Sequence, residues 1–373
     1  MMRDDATHPA WIEINLRQFQ KNIAIVKNFL GPTRLCMAVK ANAYGHGIVE
    51  IAKTAVLSGI DYLGVAHAQE GVKLRKAGIE IPILVLGAIH ERQIKDLLNY
   101  HLEFSVSSKY KAELVQKVLG TTKQACKVHI EIETGMQRTG IRAESLLSVS
   151  EHLENLGCFD IVGVYSHLAI TETPSHPETQ RQIALFKAVT DELAHTGRNF
   201  IRHISNSGGL CHYPEANFDM VRPGILLLGY FQQQPIAALA GIEPFLSIKA
   251  HLAYFKVVAA NQGISYGHSY KTKQQTRIVT IPVGYGDGYR RALSNVGRVL
   301  IRGKSHRIAG TVCMDQFMVD IGRSEAYVGD EVVLIGRQGD EEISVNEIAE
   351  LCDTISYEIL CGFNERMPRR YFK

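Results

Sequence analysis

Along the first two thirds of the chain, short continuous apolar runs alternate with stretches whose apolar residues recur at helical spacing. The runs predict buried strands and the periodic stretches amphipathic helices. Leu35–Val39, Tyr62–Val65, Ile83–Leu86, Glu103–Val106, Val128–Ile132, Ile161–Tyr165 and Ile201–Ile204 read as strands, and Phe218–Val221 as an eighth. Leu16–Leu30, Val49–Leu57, Gln69–Lys76, Lys109–Leu119, Ala143–Leu156 and Gln180–Ala194 read as helices, and Ile94–Leu98 lies in another. Eight such alternations over about 230 residues predict an α/β fold, a parallel (β/α)8 TIM barrel. A doubly wound open sheet competes, but no G-x-G-x-x-G follows the first strand.

Near Gly241 the pattern changes to alternating apolar and polar positions broken by short polar turns, as in Ser247–Phe255, Ile278–Ile281, Val299–Ile301, Phe317–Ile321 and Glu331–Ile335. That is the signature of a mainly antiparallel β domain. One helix is expected at Val345–Leu351, with Ser344 and Glu347 at capping-box spacing. The expected domains are a barrel over residues 12–241 and a β-rich domain over 242–373, with residues 1–11 left free to pack with the second.

Composition narrows the partners. A net charge of +3 gives no footing for nucleic acid or membrane. No stretch approaches the roughly 18 apolar residues of a spanning helix, and the polar Met1–Ala10 segment has no signal-peptide core. Seven scattered cysteines, with no C-x-x-C pair, fit free thiols in a reducing cytoplasm and no metal site.

Candidate chemistry gathers at strand ends, which share one pocket in a barrel. Lys40 follows the apolar run Leu35–Val39 and leads into Ala41-Asn42-Ala43-Tyr44-Gly45-His46-Gly47. Burial disfavours an ammonium and releases the amine for covalent chemistry. A lysine reaching out to solvent is the plain alternative. Arg138 follows the fifth strand, His167 the sixth, Asn206 and Ser207 the seventh, and Arg222 the eighth. Each alone has a structural reading; the set is harder to explain that way. Ser207 and the backbone N–H groups of Gly224 and Ile225, expected at a helix start, suit a phosphate. A phosphate site beside a strand-end lysine points to pyridoxal 5′-phosphate held as a Schiff base.

These residues resemble the bacterial alanine racemases, pyridoxal-phosphate enzymes of the barrel type (fold type III). The resemblance covers nearly the whole chain. It rests on Ala38–Gly47, Thr134-Gly135-Met136 with Arg138, Ser166-His167, Ser205-Asn206-Ser207 and Val221–Ile225. In the second domain it adds Ser265-Tyr266-Gly267, Gly284–Tyr289, Cys313-Met314-Asp315-Gln316 and Ser356-Tyr357-Glu358. It implies that Lys40 carries the cofactor and is one base, and that Tyr266 of a partner subunit is the other. Arg222 would face the pyridine nitrogen, and His167 would bridge Arg222 and Tyr266. Tyr44, Ser207, Gly224, Ile225 and Tyr357 would hold the phosphate, with Asn206 also at the cofactor. Arg138, Met314 and Asp315 would border the substrate, and Tyr285 would line the way in. A homodimer with shared sites follows, interconverting L- and D-alanine for peptidoglycan or for alanine catabolism.

The arrangement makes chemical sense. Racemisation takes a Cα proton from one face and returns one to the other, so two opposed bases are needed. An arginine at the pyridine nitrogen only donates, which leaves the ring a weaker electron sink and discourages transamination. The chain departs from the family at Glu131, where a lysine, often N-carboxylated, usually stands, and at Glu133 in place of aspartate. Glu131 is expected to supply a permanent carboxylate near Arg138, with no bicarbonate requirement. Leu228 replaces a frequent tyrosine and reads as a packing change. The alternative functions are a broader-specificity or serine racemase of the same fold, a barrel-type decarboxylase, and a small pyridoxal-phosphate homeostasis protein. The last lacks the β domain that carries Tyr266.

Overall fold

The computed structural model describes residues 8–120, 125–231 and 236–373. They divide into two compact units, one of residues 19–43 with 48–243, the other of the described residues through Gln18 with 44–47 and 244–373.

In the first unit the predicted alternation becomes β2 (Arg34–Ala38), α2 (Ile48–Leu57), β3 (Tyr62–Val65), α3 (Ala68–Lys76), β4 (Ile83–Val85), α4 (Ile94–Asn99), β5 (Glu103–Val106) and α5 (Lys109–Leu119). It continues through β6 (Cys126–Glu133), α6 (Leu146–Leu156), β7 (Phe159–Tyr165), α7 (Pro177–Ala194), β8 (Ile201–His203), α8 (Ser207–His212) and β9 (Met220–Val221). β1 (Ala10–Asn15) and α1 (Leu16–Leu30) precede them. The strands pair in parallel in the order β9-β2-β3-β4-β5-β6-β7-β8. The ring closes where Arg222 N–H donates to Ser205 O (2.9 Å) and Asp219 N–H to Arg202 O (3.0 Å). Apolar residues such as Leu63, Val65, Phe104, Ile130 and Val164 are fully or almost fully buried, as both faces of a parallel sheet require.

One local expectation changes. Gly224–Gly229 begins no helix; it winds through successive turns, with Leu227 N–H on Gly224 O and Leu228 N–H on Ile225 O (both 3.1 Å). A short helix, α8, follows Asn206 instead, and the Asn206 carboxamide caps it by accepting from Gly209 N–H (2.9 Å).

The second unit is mainly antiparallel. β10 (Leu246–His251), β11 (Tyr254–Val258), β12 (Thr276–Ile281), β13 (Arg298–Ile301), β14 (Lys304–Arg307), β15 (Phe317–Gly322), β16 (Glu331–Gln338) and β17 (Arg369–Phe372) build two sheets, β14-β13-β16-β10-β1-β17 and β11-β12-β15. The run expected as Ser247–Phe255 is two strands, broken at Leu252-Ala253. β1 pairs antiparallel with β10, Ile12 opposite Ile248, and parallel with β17. Residues 1–7, part of the segment left free to pack there, lie outside the described residues. The helix at Val345–Leu351 (α9) forms, and Ser344 Oγ accepts from Glu347 N–H (3.0 Å). The other half of the capping box is absent, because the Glu347 carboxylate pairs with Arg298 (2.6 and 2.8 Å).

Candidate active site

Lys40 stands two residues beyond β2, half-buried. The next four residues, Ala41, Asn42, Ala43 and Tyr44, all have φ between 51° and 56°. Left-handed backbone costs a non-glycine residue roughly 1–2 kcal/mol, so this turn persists only because its surroundings dictate it. Glu70 dictates much of it: its carboxylate accepts from Ala41 N–H (2.7 Å) and from Ala66 N–H (2.8 Å). Asn42 Oδ1 accepts from Ile48 N–H (2.9 Å), and Ala43 N–H donates to Val39 O (2.8 Å). The segment that follows the lysine is thus a fixed left-handed turn.

Arg222 is 5% exposed. Its Nη1 donates to His203 Nδ1 and His203 O (both 2.8 Å). Its Nη2 donates to Ser166 O (2.6 Å) and His167 Nδ1 (3.3 Å), with a longer approach to Ile204 O. The fifth donor, Nε–H, has no acceptor among the described residues. Since His167 Nδ1 accepts, a neutral His167 carries its proton on Nε2. Burial first, then the positive charges of Arg222, Arg138 and Lys40, push the His167 imidazole down to about 3. It stays neutral and keeps an Nε2–H to donate.

Arg138 is exposed, in a loop shaped by Glu133, whose carboxylate accepts from Gly135 N–H and Arg138 N–H. Glu131 is buried and hydrogen-bonds Thr139 and Tyr165; Arg138 and Arg222 act on it only as more distant charges. Burial raises its carboxyl above the usual range. The expected Glu131–Arg138 contact therefore does not form: glutamate is too short to reach, and Thr139, next to Arg138, takes the bond instead. Leu228 is fully buried.

The expected phosphate end gathers within the barrel. Ser207 Oγ accepts from Gly224 N–H (3.1 Å) and Leu226 N–H (3.3 Å), and Ile225 adjoins them. Asn206 serves the backbone, capping α8 and donating to Leu168 O (3.3 Å). In the β-rich unit, the Tyr44 and Tyr357 rings lie 6.0 Å apart. Within the same unit, Arg369 donates to Gly45 O and Tyr371 to His46 O (both 3.1 Å).

The remaining four predicted residues share another part of the β-rich unit. Tyr285 N–H donates to Cys313 O (3.0 Å) and Gly286 N–H to Met314 O (2.8 Å). A Cβ on Gly284 would lie 2.2 Å from Met314 O, so that close approach needs glycine. Asp315 pairs with Arg366 (2.8 Å), which also meets Asp287 (3.2 Å). Ser265 donates to Thr311 O (2.7 Å), and Thr311 Oγ1 to Tyr266 O (3.1 Å), which ties the tyrosine to the same segment.

Sequence reasoning missed Glu103, His129 and His203, all buried in barrel strands. The signal was present: a histidine between Val128 and Ile130 has no apolar reason to be there.

Comparison with known proteins gives the family of the chain. Residues 14–232 match the family described as alanine racemase, N-terminal domain, and residues 245–371 the alanine racemase, C-terminal domain. The chain is 41% identical to an alanine racemase of Symbiobacterium thermophilum, over 98% of both chains. It is similar to the solved alanine racemase of Clostridium difficile 630, with TM-score 0.93 and 35% identity over 98% of this chain and 96% of that one. It is also similar to the Bacillus anthracis alanine racemase solved with bound L-Ala-P, with TM-score 0.91 and 34% identity over 98% and 95%.

Proposed function

The chain belongs to the alanine racemase family, and from that premise we propose that it is an isomerase interconverting L-alanine and D-alanine with pyridoxal phosphate as cofactor. The observation that carries the cofactor reading is Arg222. The residue is buried, its Nε–H has no acceptor among the described residues, and an unprotonated pyridine nitrogen is the acceptor that suits it. Ser207 and the Gly224 and Ile225 backbone suit the phosphate, and the Lys40 amine suits the covalent link; Tyr44 and Tyr357 are also proposed for the phosphate.

A bound cofactor would supply an electron sink next to the substrate's Cα, which would make that proton removable. Lys40 takes or returns the proton on one face. Tyr266 of the partner subunit does so on the other, and His167 Nε2–H would donate to that phenolic oxygen. Arg222 holds the pyridine nitrogen by donation and offers it no proton to keep. Arg138 receives the substrate carboxylate, and Met314, Asp315 and Tyr285 of the partner subunit border the pocket. The protein works as a cytoplasmic homodimer and supplies or consumes D-alanine, in peptidoglycan synthesis or catabolism. Among the described residues no helix is long and apolar enough to cross a membrane. The broader-specificity alternative has no support from the matched relatives, which are named for alanine.

Chiral chromatography after incubation of the pyridoxal-phosphate-loaded protein with L-Ala, D-Ala, L-Ser and L-Lys tests this. Alanine is expected to racemise fastest, from either enantiomer. No interconversion, or faster turnover of serine, would overturn it.

A further inference from the structure

A line of polar side chains crosses the barrel interior, where such folds normally pack branched apolar residues. Glu103 opens β5, His129 lies mid-way along β6 and His203 closes β8. Glu103 is 4% exposed and both histidines 0%. Glu103 Oε2 lies 3.0 Å from His129 Nε2, His129 Nδ1 2.9 Å from His203 Nε2, and His203 Nδ1 2.8 Å from Arg222 Nη1. Tyr62 also hydrogen-bonds the Glu103 carboxylate.

The direction of every bond follows from the two ends. A guanidinium only donates, so His203 Nδ1 is bare and accepts. A neutral imidazole bare at Nδ1 carries its proton on Nε2, so His203 donates to His129 Nδ1. By the same step His129 is protonated on Nε2 and donates to Glu103, whose carboxylate accepts. Reversing any one bond sets two donors, or two acceptors, against each other further along. The walls are shaped for the line. A Cβ on Gly163 of β7 would come 2.2 Å from His129 Nδ1. The Tyr165 ring stacks on His203 at 5.0 Å, and the Arg222 guanidinium lies 5.0 Å over the same ring.

We propose that Glu103 is a positioning residue, which through His129 and His203 fixes the Arg222 hydrogens committed to the barrel interior and so reserves Arg222 Nε–H for the cofactor's pyridine nitrogen. This rests on the pyridoxal-phosphate racemase reading above. With an apolar residue in place of Glu103, His129 loses its acceptor. Both rings can then turn over to other tautomers, and His203 Nδ1 no longer holds Arg222.

Long-range proton–nitrogen NMR of the loaded enzyme, labelled with 15N-histidine and assigned through His129→Gln and His203→Gln, reads the tautomers directly. Wild type is expected to show both rings neutral and protonated on Nε2. Glu103→Leu is expected to mix the tautomers and shift the cofactor's visible absorption. It should also lower kcat on alanine about 100-fold, the scale of an ångström-level misplacement, with less change in KM. Glu103→Gln keeps an acceptor oxygen and should restore the Nε2–H tautomers and the absorption. An imidazolium or an Nδ1–H on either ring in wild type overturns the proposal, whether or not Glu103→Leu folds. Unchanged tautomers and absorption in a folded Glu103→Leu overturn it too. The expected tautomers in a protein that does not racemise alanine support the line and remove the activity reading. Racemisation by a protein with other tautomers removes the line alone.

Discussion

At the scale of single residues, charge state is set by neighbours. His167 lies among Lys40, Arg138 and Arg222, and burial and those three cations hold its pKa at about 3 in place of the ordinary 6.5. The unfolded chain therefore binds a proton below about 6.5 that the folded chain refuses until about 3. The sign follows: stability falls as pH falls through that window. His203 has the same sign, being held well below its ordinary value by burial and then by Arg222. Glu131 has the opposite sign, because its raised carboxyl makes the folded chain bind the extra proton and lose stability as pH rises above the ordinary carboxylate range. Comparing wild type with His167→Gln isolates the one histidine. Between about pH 7.5 and about pH 5.5 the wild type is expected to lose about 1.4 kcal/mol more than the variant. Urea midpoints at the two pH values check this; equal losses would mean that His167 titrates normally in the folded chain.

At the scale of elements, the left-handed turn at Ala41–Tyr44 is the place where local preference and tertiary context disagree most openly. Ala41 is exposed, and its φ of 52° costs it strain that glycine would not feel. Ala41→Gly relieves roughly 1–2 kcal/mol and gives back about 0.4–1 kcal/mol to the freer unfolded chain. A net change between about zero and about 1.6 kcal/mol of added urea stability is expected, together with slower racemisation, because the turn that aims Lys40 loosens. A variant that loses stability would show that the turn is not strained. The same turn marks the limit of what the sequence could reveal. Periodicity located Leu16–Leu30, Tyr62–Val65, Glu103–Val106 and Lys109–Leu119 to the residue, because burial of one face dictates both spacing and length. It could not reveal four non-glycine residues with positive φ, whose cause is Glu70, twenty-nine positions beyond Ala41. It assigned Gly224-Ile225 to a helix start for the same reason: Ser207 bends that backbone from outside its own window. Candidate site residues at strand ends were legible because the barrel topology collects them. The Glu103–His129–His203 line was legible only at His129, which interrupts Val128 and Ile130; Glu103 opens its strand and His203 closes its own, where a polar residue is ordinary and the pairing across three strands leaves no mark.

At the scale of the whole molecule, the two proposed bases lie in different units of the chain, Lys40 in the barrel and Tyr266 in the β-rich unit. Tyr266 is 75% exposed, and on the same unit Met314 is 54% and Tyr285 44% exposed. Three large apolar side chains linked through the Thr311–Asp315 segment are costly to leave in water and commonly mark an interface. A two-fold dimer would bury them and deliver each subunit's Tyr266 to the other's Lys40. Mixed dimers test the delivery. Lys40→Ala alone should lose the cofactor's absorbance and the activity, and Tyr266→Phe alone should keep the absorbance and lose most of the activity. In a dimer of one of each, one site combines an intact Lys40 with an intact Tyr266, and the other has neither. Random reassortment of equal amounts makes roughly half the dimers mixed, each with one good site in two, so roughly a quarter of wild-type activity should return if the sites are shared across a two-fold axis. If instead each tyrosine serves its own chain, every site in every mixture lacks one base, and reassortment returns nothing.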